Sequence, residues 1–515
     1  MRKNLMLLMV IVATLLLVGC VGLEKIERNV VDPNTDVSQK IDLSIKLPYV
    51  EDEEAMKSNA VIALMEEITG YKCTYSQFPS GSSADSELTG YFTKKGTEYH
   101  AIKLTKNQFN NRAVSAAAYA DLTEIINDPK YATLKNAISQ EAWDAVTYDG
   151  KILGIPDSAS NNNIDKAILI RKDIMLELTN SQTGEKYTSV PTTFEGFVQL
   201  LKDFKASTGS TTAFTLPNNI ELVPAIAASF GVEQMWQEID GELVYAAENP
   251  HLGDYLAAMN SLFKEGLLDK NMTTNSFNTC ANKFANGTSI ATVGSFWELA
   301  TIDYILQGNG GKKYENCVDF AVAFENKDGE MKTWQSSGCT YVTVIPNWMA
   351  DTGAHVINYI QEKIKDENFI QIVAGTEGVH YEYDEIKEEY NALEGFAAAK
   401  KNASYFVTGT NDNVYNTYWT QVVVKGTPAT YFQWKKTNID AVKRGVKGVL
   451  DPTSFVPALK EYSARAAAIE TEFKDGVMRV IIGAGSETAE SIKANFNSST
   501  NAKAVNEIKD WYKNR

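Results

Sequence analysis

The chain has little of what catalysis usually requires. Its 515 residues include four histidines, at 100, 251, 355 and 380, each standing alone. No pair of them has the spacing of a metal site or a base and its orienter. The five cysteines include no C-x-x-C pair and none beside a histidine, which excludes a structural zinc site on pattern grounds. There is no G-x-S-x-G elbow, no H-E-x-x-H, no phosphate-cradling Gly-Lys loop and no G-x-G-x-x-G after a strand. A glycosidase needs only two carboxylates at a set separation. With 65 acidic residues the sequence leaves that class open, yet supplies no pair to single out. No catalytic residue, metal or cofactor is expected. Positive charge is also in short supply: the formal charge is −16, which argues against nucleic acid or an anionic lipid surface as partner.

Long apolar runs are absent except at the start, MRKNLMLLMVIVATLLLVGC. Two cations precede an apolar stretch shorter than the ~20 residues needed to span a bilayer, the pattern of a secretory leader over residues 1–19. Leu17-Val18-Gly19-Cys20 reads as a lipobox, with Cys20 as the lipid attachment point. Acyl chains there would hold the mature chain on the outer face of the membrane. Residues 23–40, LEKIERNVVDPNTDVSQK, read as a flexible tether. Cys73, Cys280, Cys317 and Cys339 remain, mostly as buried free thiols.

The rest is an ordinary globular composition, 44% hydrophobic and 22% charged, long enough for two lobes. IDLSIKLPY from Ile41 to Tyr49 alternates as a strand does, and Val61, Met65 and Ile68 share one helical face before Gly70. Tyr71 to Phe78 reads as a second strand, and strand-helix-strand at this spacing is the unit of a parallel sheet. Further strands are expected at His100 to Leu104 and Ala167 to Ile170. Helices are expected over Gln108 to Ala120, around Trp143, from Phe194 to Phe204, and over Tyr255 to Leu268, Ala354 to Lys365 and Leu459 to Lys474. YDGKILGIP at 148–156 is a hairpin signal, because Gly150 can take the positive φ of a primed turn. Pro156 ends the strand or puts it on a sheet edge. Asp157-Ser158-Ala159-Ser160-Asn161-Asn162-Asn163 then reads as a polar loop, either for a ligand or merely on the surface.

Aromatics are the more suggestive feature. Trp297 lies in Gly294-Ser295-Phe296-Trp297-Glu298, Trp334 follows an Asp-Gly turn, and Trp419 and Trp434 flank a strand expected in YNTYWTQVVVKGTPATYFQW. An amphipathic ring serves a core or a sugar-stacking platform equally well. As a set at strand ends they point to a ligand cleft.

Five stretches in order resemble the family 1 extracellular solute-binding proteins, the maltose-binding-protein-like cluster: YDGKILGIP; ILIRKDIMLEL with VPTTFEGFVQLLKDF; SLFKEGLLDKNM; KFANGTSIATVGSFWE; and GTEGVHYEY. The resemblance implies an α/β fold of two discontinuous lobes joined by crossing hinge strands. It implies residues 41–160 with about 290–345 as the first lobe, 161–289 with about 346–470 as the second, and 471–515 as C-terminal helices packing back on them. It places Tyr49, Asp157 and its neighbours Ser158 and Asn161, and Trp297 at or near the ligand; with the aromatic set above, the expected ligand-binding residues are these together with Glu298, Trp334, Tyr383, Trp419 and Trp434. KASTGSTTA, after the helix near Phe204, lacks the acidic insert that relatives use for calcium. The function implied is capture of an oligosaccharide by hinge closure and delivery to an ABC permease, by a lipid-anchored monomer on the outer face of the cell membrane. A surface glycoside hydrolase and a peptide or amino-sugar binder on the same scaffold are the alternatives.

Overall fold

The computed structural model describes residues 27–49, 60–79, 82–96, 98–114, 117–220, 222–386, 389–394, 396, 406–411, 414 and 428–515. Two mixed sheets organise them. In the first, β1 (Leu43–Leu47), β2 (Cys73–Gln77) and β3 (Ala101–Thr105) run parallel, with α1 (Ala60–Thr69) as the first crossover. Val61 and Met65 of α1 are buried, as the spacing requires. Directly after β3 comes α2 (Lys106–Ala113), started by a capping box between Thr105 and Gln108.

The hairpin at 147–152 forms as expected. β4 (Thr147–Tyr148) pairs with β5 (Lys151–Ile152) through Asp149 and Gly150, both at positive φ. This is the backbone of a type I′ turn, and it matches the right-handed twist of the strands it joins.

β6 (Ile155–Asn163) then leaves the first lobe, and β7 (Lys166–Arg171) enters the second lobe's sheet. The polar run from Asp157 to Asn163 is therefore a strand, not a loop. It has a partner long enough to hold it: β13 (Lys332–Val344), which pairs antiparallel with β6 from Thr343↔Ile155 to Ser336↔Asn163. Pro156 is tolerated because β6 pairs only with β13 and so lies at the sheet edge. The second sheet has the order β12 (Val318–Ala321), β7, β11 (Ala291–Ser295), β8 (Phe214–Thr215). Against it packs α3 (Phe194–Thr208), with Phe197, Leu200, Leu201 and Phe204 inward.

The cores set the lobe boundaries, and these differ from the sequence reading. Val342 to Val373, on β13 and α4 (Ala350–Ile364) and beyond, pack with β1–β3 in the first lobe. Ile290 to Phe324 pack with β7 and α3 in the second. The change of lobe falls inside β13, between Trp334, packed against the second core, and Cys339, in the first. α6 (Lys460–Ile482) and the two helices after it, to Lys513, belong to the second lobe.

Two further expectations are corrected. Residues 28–31 are not a free tether: Arg28 donates to the Ala113 and Tyr119 carbonyls, and Val31 is buried in the first core with its N–H on Asp121 O. The helix at 108–120 stops at Ala113, and Tyr119 instead bridges to Pro346. Trp434 is the last residue of a helix, α5 (Pro428–Trp434), and the strand expected before it lies outside the described residues. Cys20 and Trp419 lie outside the described residues. Among those described, Cys73, Cys280, Cys317 and Cys339 are free thiols.

Candidate functional site

In a parallel sheet the ligand crevice lies beyond the carboxyl ends of the strands. On the first lobe that edge carries Tyr49 after β1, Phe78 after β2 and Lys106 after β3. On the second it carries Trp297 after β11, beside Lys166, because Ser295 of β11 pairs with Lys166 of β7.

Two cavities open here. One, of about 400 Å³, is lined by Asp165, Lys166, Pro224, Gln234, Trp297, Trp334, Gln335, Ser336, Asp451 and Ser454. The other, of about 420 Å³, lies between the lobes. Lys106, Asn107, Asn110 and Cys339 come from the first lobe, and Met235, Trp236, Tyr245 and Tyr462 from the second. Asp451 and Ser454 line both, so the cavities adjoin along that segment.

Trp297 is 54% exposed, an unusual position for the largest apolar side chain. Its turn is fixed from below: the Glu298 carboxylate accepts the Ser295 N–H at 2.7 Å, and the Glu298 N–H returns to Ser295 O at 3.0 Å. Burial raises the Glu298 pKa. Glu298 thus closes the turn that carries the Trp297 ring. Trp334 lines the same cavity, but its indole N–H is engaged by Val232 O at 3.1 Å and its ring packs on the second core.

The carboxyl groups of this cavity are desolvated. Burial raises the Asp165 pKa against a hydrogen bond from Ser336. Burial likewise raises Asp451, which accepts from Thr453 N at 2.8 Å, Thr453 Oγ1 at 2.6 Å and Trp236 N at 3.1 Å. Half-dry carboxyls beside an open indole can accept hydroxyl groups while the ring packs against C–H faces.

The remaining sequence candidates fall elsewhere. Asp157 is 7% exposed, with its carboxylate 2.5 Å from Lys103 Nζ and accepting the Gly409 N–H. Its charge is closed inside the first lobe. Ser158 and Asn161 lie on β6. Trp434 donates to Asn163 Oδ1 at 3.4 Å, at the end of the crossing strand, and stacks on Tyr431. Tyr49 is 48% exposed at the β1 edge. Tyr383 packs on Tyr390 in a separate hairpin of Tyr381–Asp384 with Glu389–Ala392. Neither tyrosine lines the two cavities.

Sequence reasoning passed over Lys106, Asn107, Asp165, Gln234, Asp451 and Tyr462. For Lys106 a signal was present, since it is the first residue past a parallel strand. For Asp451 and Tyr462 none was, because only the return of the chain over the hinge brings them there. Gln234 shows how that return is held: its amide donates to Gln335 O at 3.2 Å and Val449 O at 2.9 Å, clamping β13 to β16 (Lys447–Leu450).

Two lobes, each with strand ends facing a shared cleft and joined by crossing strands, define the class of two-lobed solute-binding proteins. The family model of the bacterial extracellular solute-binding proteins matches residues 66–352, more than half of the chain, and the chain belongs to that family. Its members bind a solute outside the cytoplasm. A protein of Niallia circulans described as an uncharacterized protein in the butB 5' region is 26% identical over 230 residues, 45% of this chain and 86% of that one. Among solved structures, the alginate-binding protein AlgQ2 without calcium ion is similar at a TM-score of 0.67 and 14% identity, over 92% of this chain and 98% of that one. FusA, the ABC-transporter substrate-binding protein of S. pneumoniae, as an EF-hand mutant in complex with fructo-nystose, gives 0.65 and 12% over 92% and 99%. NgtS of Streptococcus pneumoniae, an N-glycan transport solute-binding protein, gives 0.57 and 15% over 92% and 98%. At such identities the likeness shows the fold. No helix among the described residues is long and apolar enough to cross a membrane.

Proposed function

We propose that this protein captures an oligosaccharide in the cleft between its lobes and hands it to the membrane subunits of an ABC importer, held at the membrane through Cys20. The observation that carries the reading is Trp297: an exposed indole on a braced turn, in one cavity with the desolvated carboxyls of Asp165 and Asp451. The similarity to an alginate-binding protein, to FusA in complex with fructo-nystose and to an N-glycan transport solute-binding protein supports it.

The mechanism is binding and closure without bond-making. The lobes pivot where β6 and β13 cross, and a ligand touching both walls favours the closed state by its differential affinity for it. A micromolar dissociation constant corresponds to about −8.2 kcal/mol, within reach of a stacked ring and a few hydroxyl–carboxylate bonds after ordering costs. The closed form is what the permease would recognise.

The test is a thermal-shift and calorimetric screen of the purified chain lacking its leader, against oligosaccharides and peptides. At a hundredfold excess over Kd the ligand adds about 2.7 kcal/mol to folding stability, an easily measured rise in Tm. Stabilisation by a glycan recovered intact is the expected result. Binding of peptides alone would sink the oligosaccharide reading, and recovery of a shortened glycan would replace transport by hydrolysis.

A further inference from the structure

We propose that the interlobe cavity around Lys106 seats a carboxylate carried by the cargo, so that the bound oligosaccharide is an acidic one. The inference rests on the reading of the cleft as a glycan site, and it names the class of glycan.

Lys106 is the first residue of α2, and its ammonium lines the 420 Å³ cavity. Its two hydrogen-bond partners are neutral oxygens, Asn110 Oδ1 at 2.5 Å and Val456 O at 3.2 Å, with the Phe109 ring 5.4 Å away. An ammonium has three N–H donors, so one remains for an incoming acceptor. Among the described residues Lys106 has no carboxylate in ion-pair contact. The two acids on the cavity wall, Asp451 and Glu470, are not in ion-pair contact with it, and Asp451 is engaged by Thr453 and Trp236. A desolvated cation without a counter-charge is unfavourable, and burial lowers the Lys106 pKa to about 8, which leaves it charged at neutral pH. Lys106 also stands in the first turn of α2, where the axial peptide dipoles favour an anion.

The rest of the cavity matches a sugar acid better than a free inorganic anion. Trp236 and Tyr462 form one wall, with the indole N–H on the Tyr462 hydroxyl at 3.2 Å, and the space adjoins the Trp297 cavity through Asp451 and Ser454. A chain of rings can stack on Trp297 at one end and present a carboxylate to Lys106 at the other.

The experiment is titration calorimetry of the purified chain with matched pairs, trigalacturonate against galactotriose and trimannuronate against mannotriose, in the native protein, Lys106→Met and Lys106→Arg. The expected result is an acidic member that binds at least about tenfold tighter than its neutral partner. Its affinity should weaken with added salt, fall at least about tenfold in Lys106→Met, and largely return in Lys106→Arg. Circular dichroism confirms that both variants fold. Neutral trisaccharides that bind as tightly as acidic ones, or acidic binding within twofold of native in Lys106→Met, would overturn the inference and leave glycan transport standing. Silence toward every trisaccharide in the native protein would overturn both.

Discussion

Lys103 and Lys106 stand three residues apart at the end of one strand, yet they meet opposite fates. Lys103, in the middle of β3, points into the first lobe, where Asp157 lies 2.5 Å away and Val407 O takes a second bond at 2.6 Å. Lys106, one residue past the strand, turns outward to a cavity where its hydrogen-bond partners are two neutral oxygens. The inner charge is neutralised by the chain itself, and the outer one is left to be neutralised by something else. Charge closed internally holds the fold, whereas charge left open at the cleft is available to a ligand.

The largest effect expected from breaking this contrast comes from Asp157→Ala. It strands the Lys103 ammonium and removes the acceptor of the Gly409 N–H, and losing one partner of a buried pair costs about 3–5 kcal/mol. Lys106→Met removes a desolvated cation and should leave stability within about 1 kcal/mol of native. Denaturant unfolding of the two variants measures both. Should Asp157→Ala keep native stability but lose ligand binding, Asp157 belongs to the cleft and the contrast is wrong.

The next effect sits on the crossing strand. Gly338 has a φ of +117°, beside the register shift in β13, and a Cβ there would collide with the backbone carbonyl of Ser454. Gly338→Ala combines a strained backbone with that clash, at a cost of about 2–3 kcal/mol. Because Ser454 lines both cavities, binding should weaken with it. An alanine variant with native stability and native closure, followed by small-angle scattering, would show that the two segments slide freely here.

How much of this was legible in the sequence follows from how local each signal is. Asp149-Gly150 announced its hairpin because a primed turn is decided by two residues, and α3 announced itself by the spacing of Phe197, Leu200, Leu201 and Phe204. Trp297 was visible as an aromatic at a strand end. β6 was not visible, since DSASNNN has neither alternation nor β-propensity. It is a strand because β13 offers it a partner more than 170 residues later. Arg28 and Val31 were misread for the same reason, as their partners lie at Ala113, Tyr119 and Asp121. Local chemistry shows in sequence, and partners that are distant along the chain do not.

A smaller effect separates the two indoles of the Trp297 cavity. Trp297→Ala should lower affinity for the bound glycan about tenfold, roughly 1.4 kcal/mol, with stability barely changed, because the ring is largely in solvent. Trp334→Ala should do the reverse, since its ring packs on the second core and its N–H is bonded to Val232 O. Calorimetry and melting curves on the pair would show which tryptophan faces the ligand. Affinity within twofold of native in Trp297→Ala would remove the stacking role.

The last contrast sharpens the inner half of the comparison through pH. Lys363, on α4, donates to Phe406 O at 2.5 Å and Thr408 Oγ1 at 3.0 Å, and with Lys103 and Asp157 it pins residues 406–409 to the first lobe. Burial lowers its pKa from 10.5 to about 7, assisted by the Lys103 charge and opposed by Cys73 and Asp157. Between about pH 7 and 10.5 the unfolded chain binds a proton here that the native chain does not, so this residue makes stability rise with pH over that interval. The slope approaches about 1.4 kcal/mol per pH unit. Above about pH 9 the opposite contribution enters, because burial raises the thiols of Cys280 to about 11 and Cys339 to about 12, and the unfolded chain releases those protons first. His100 and His355, lowered by burial from 6.5, act below the interval. Lys106, lowered by burial to about 8, adds a rise of the same sign above about pH 8. Melting curves from pH 7 to 8.5 should therefore climb in the native protein and climb less in Lys363→Met, most clearly below pH 8, because that side chain holds no proton to lose. An unchanged slope in that variant would mean that the Lys363 ammonium is as well solvated by the Phe406 carbonyl and the Thr408 hydroxyl as it is in water, and that the anchor of residues 406–409 is indifferent to its charge.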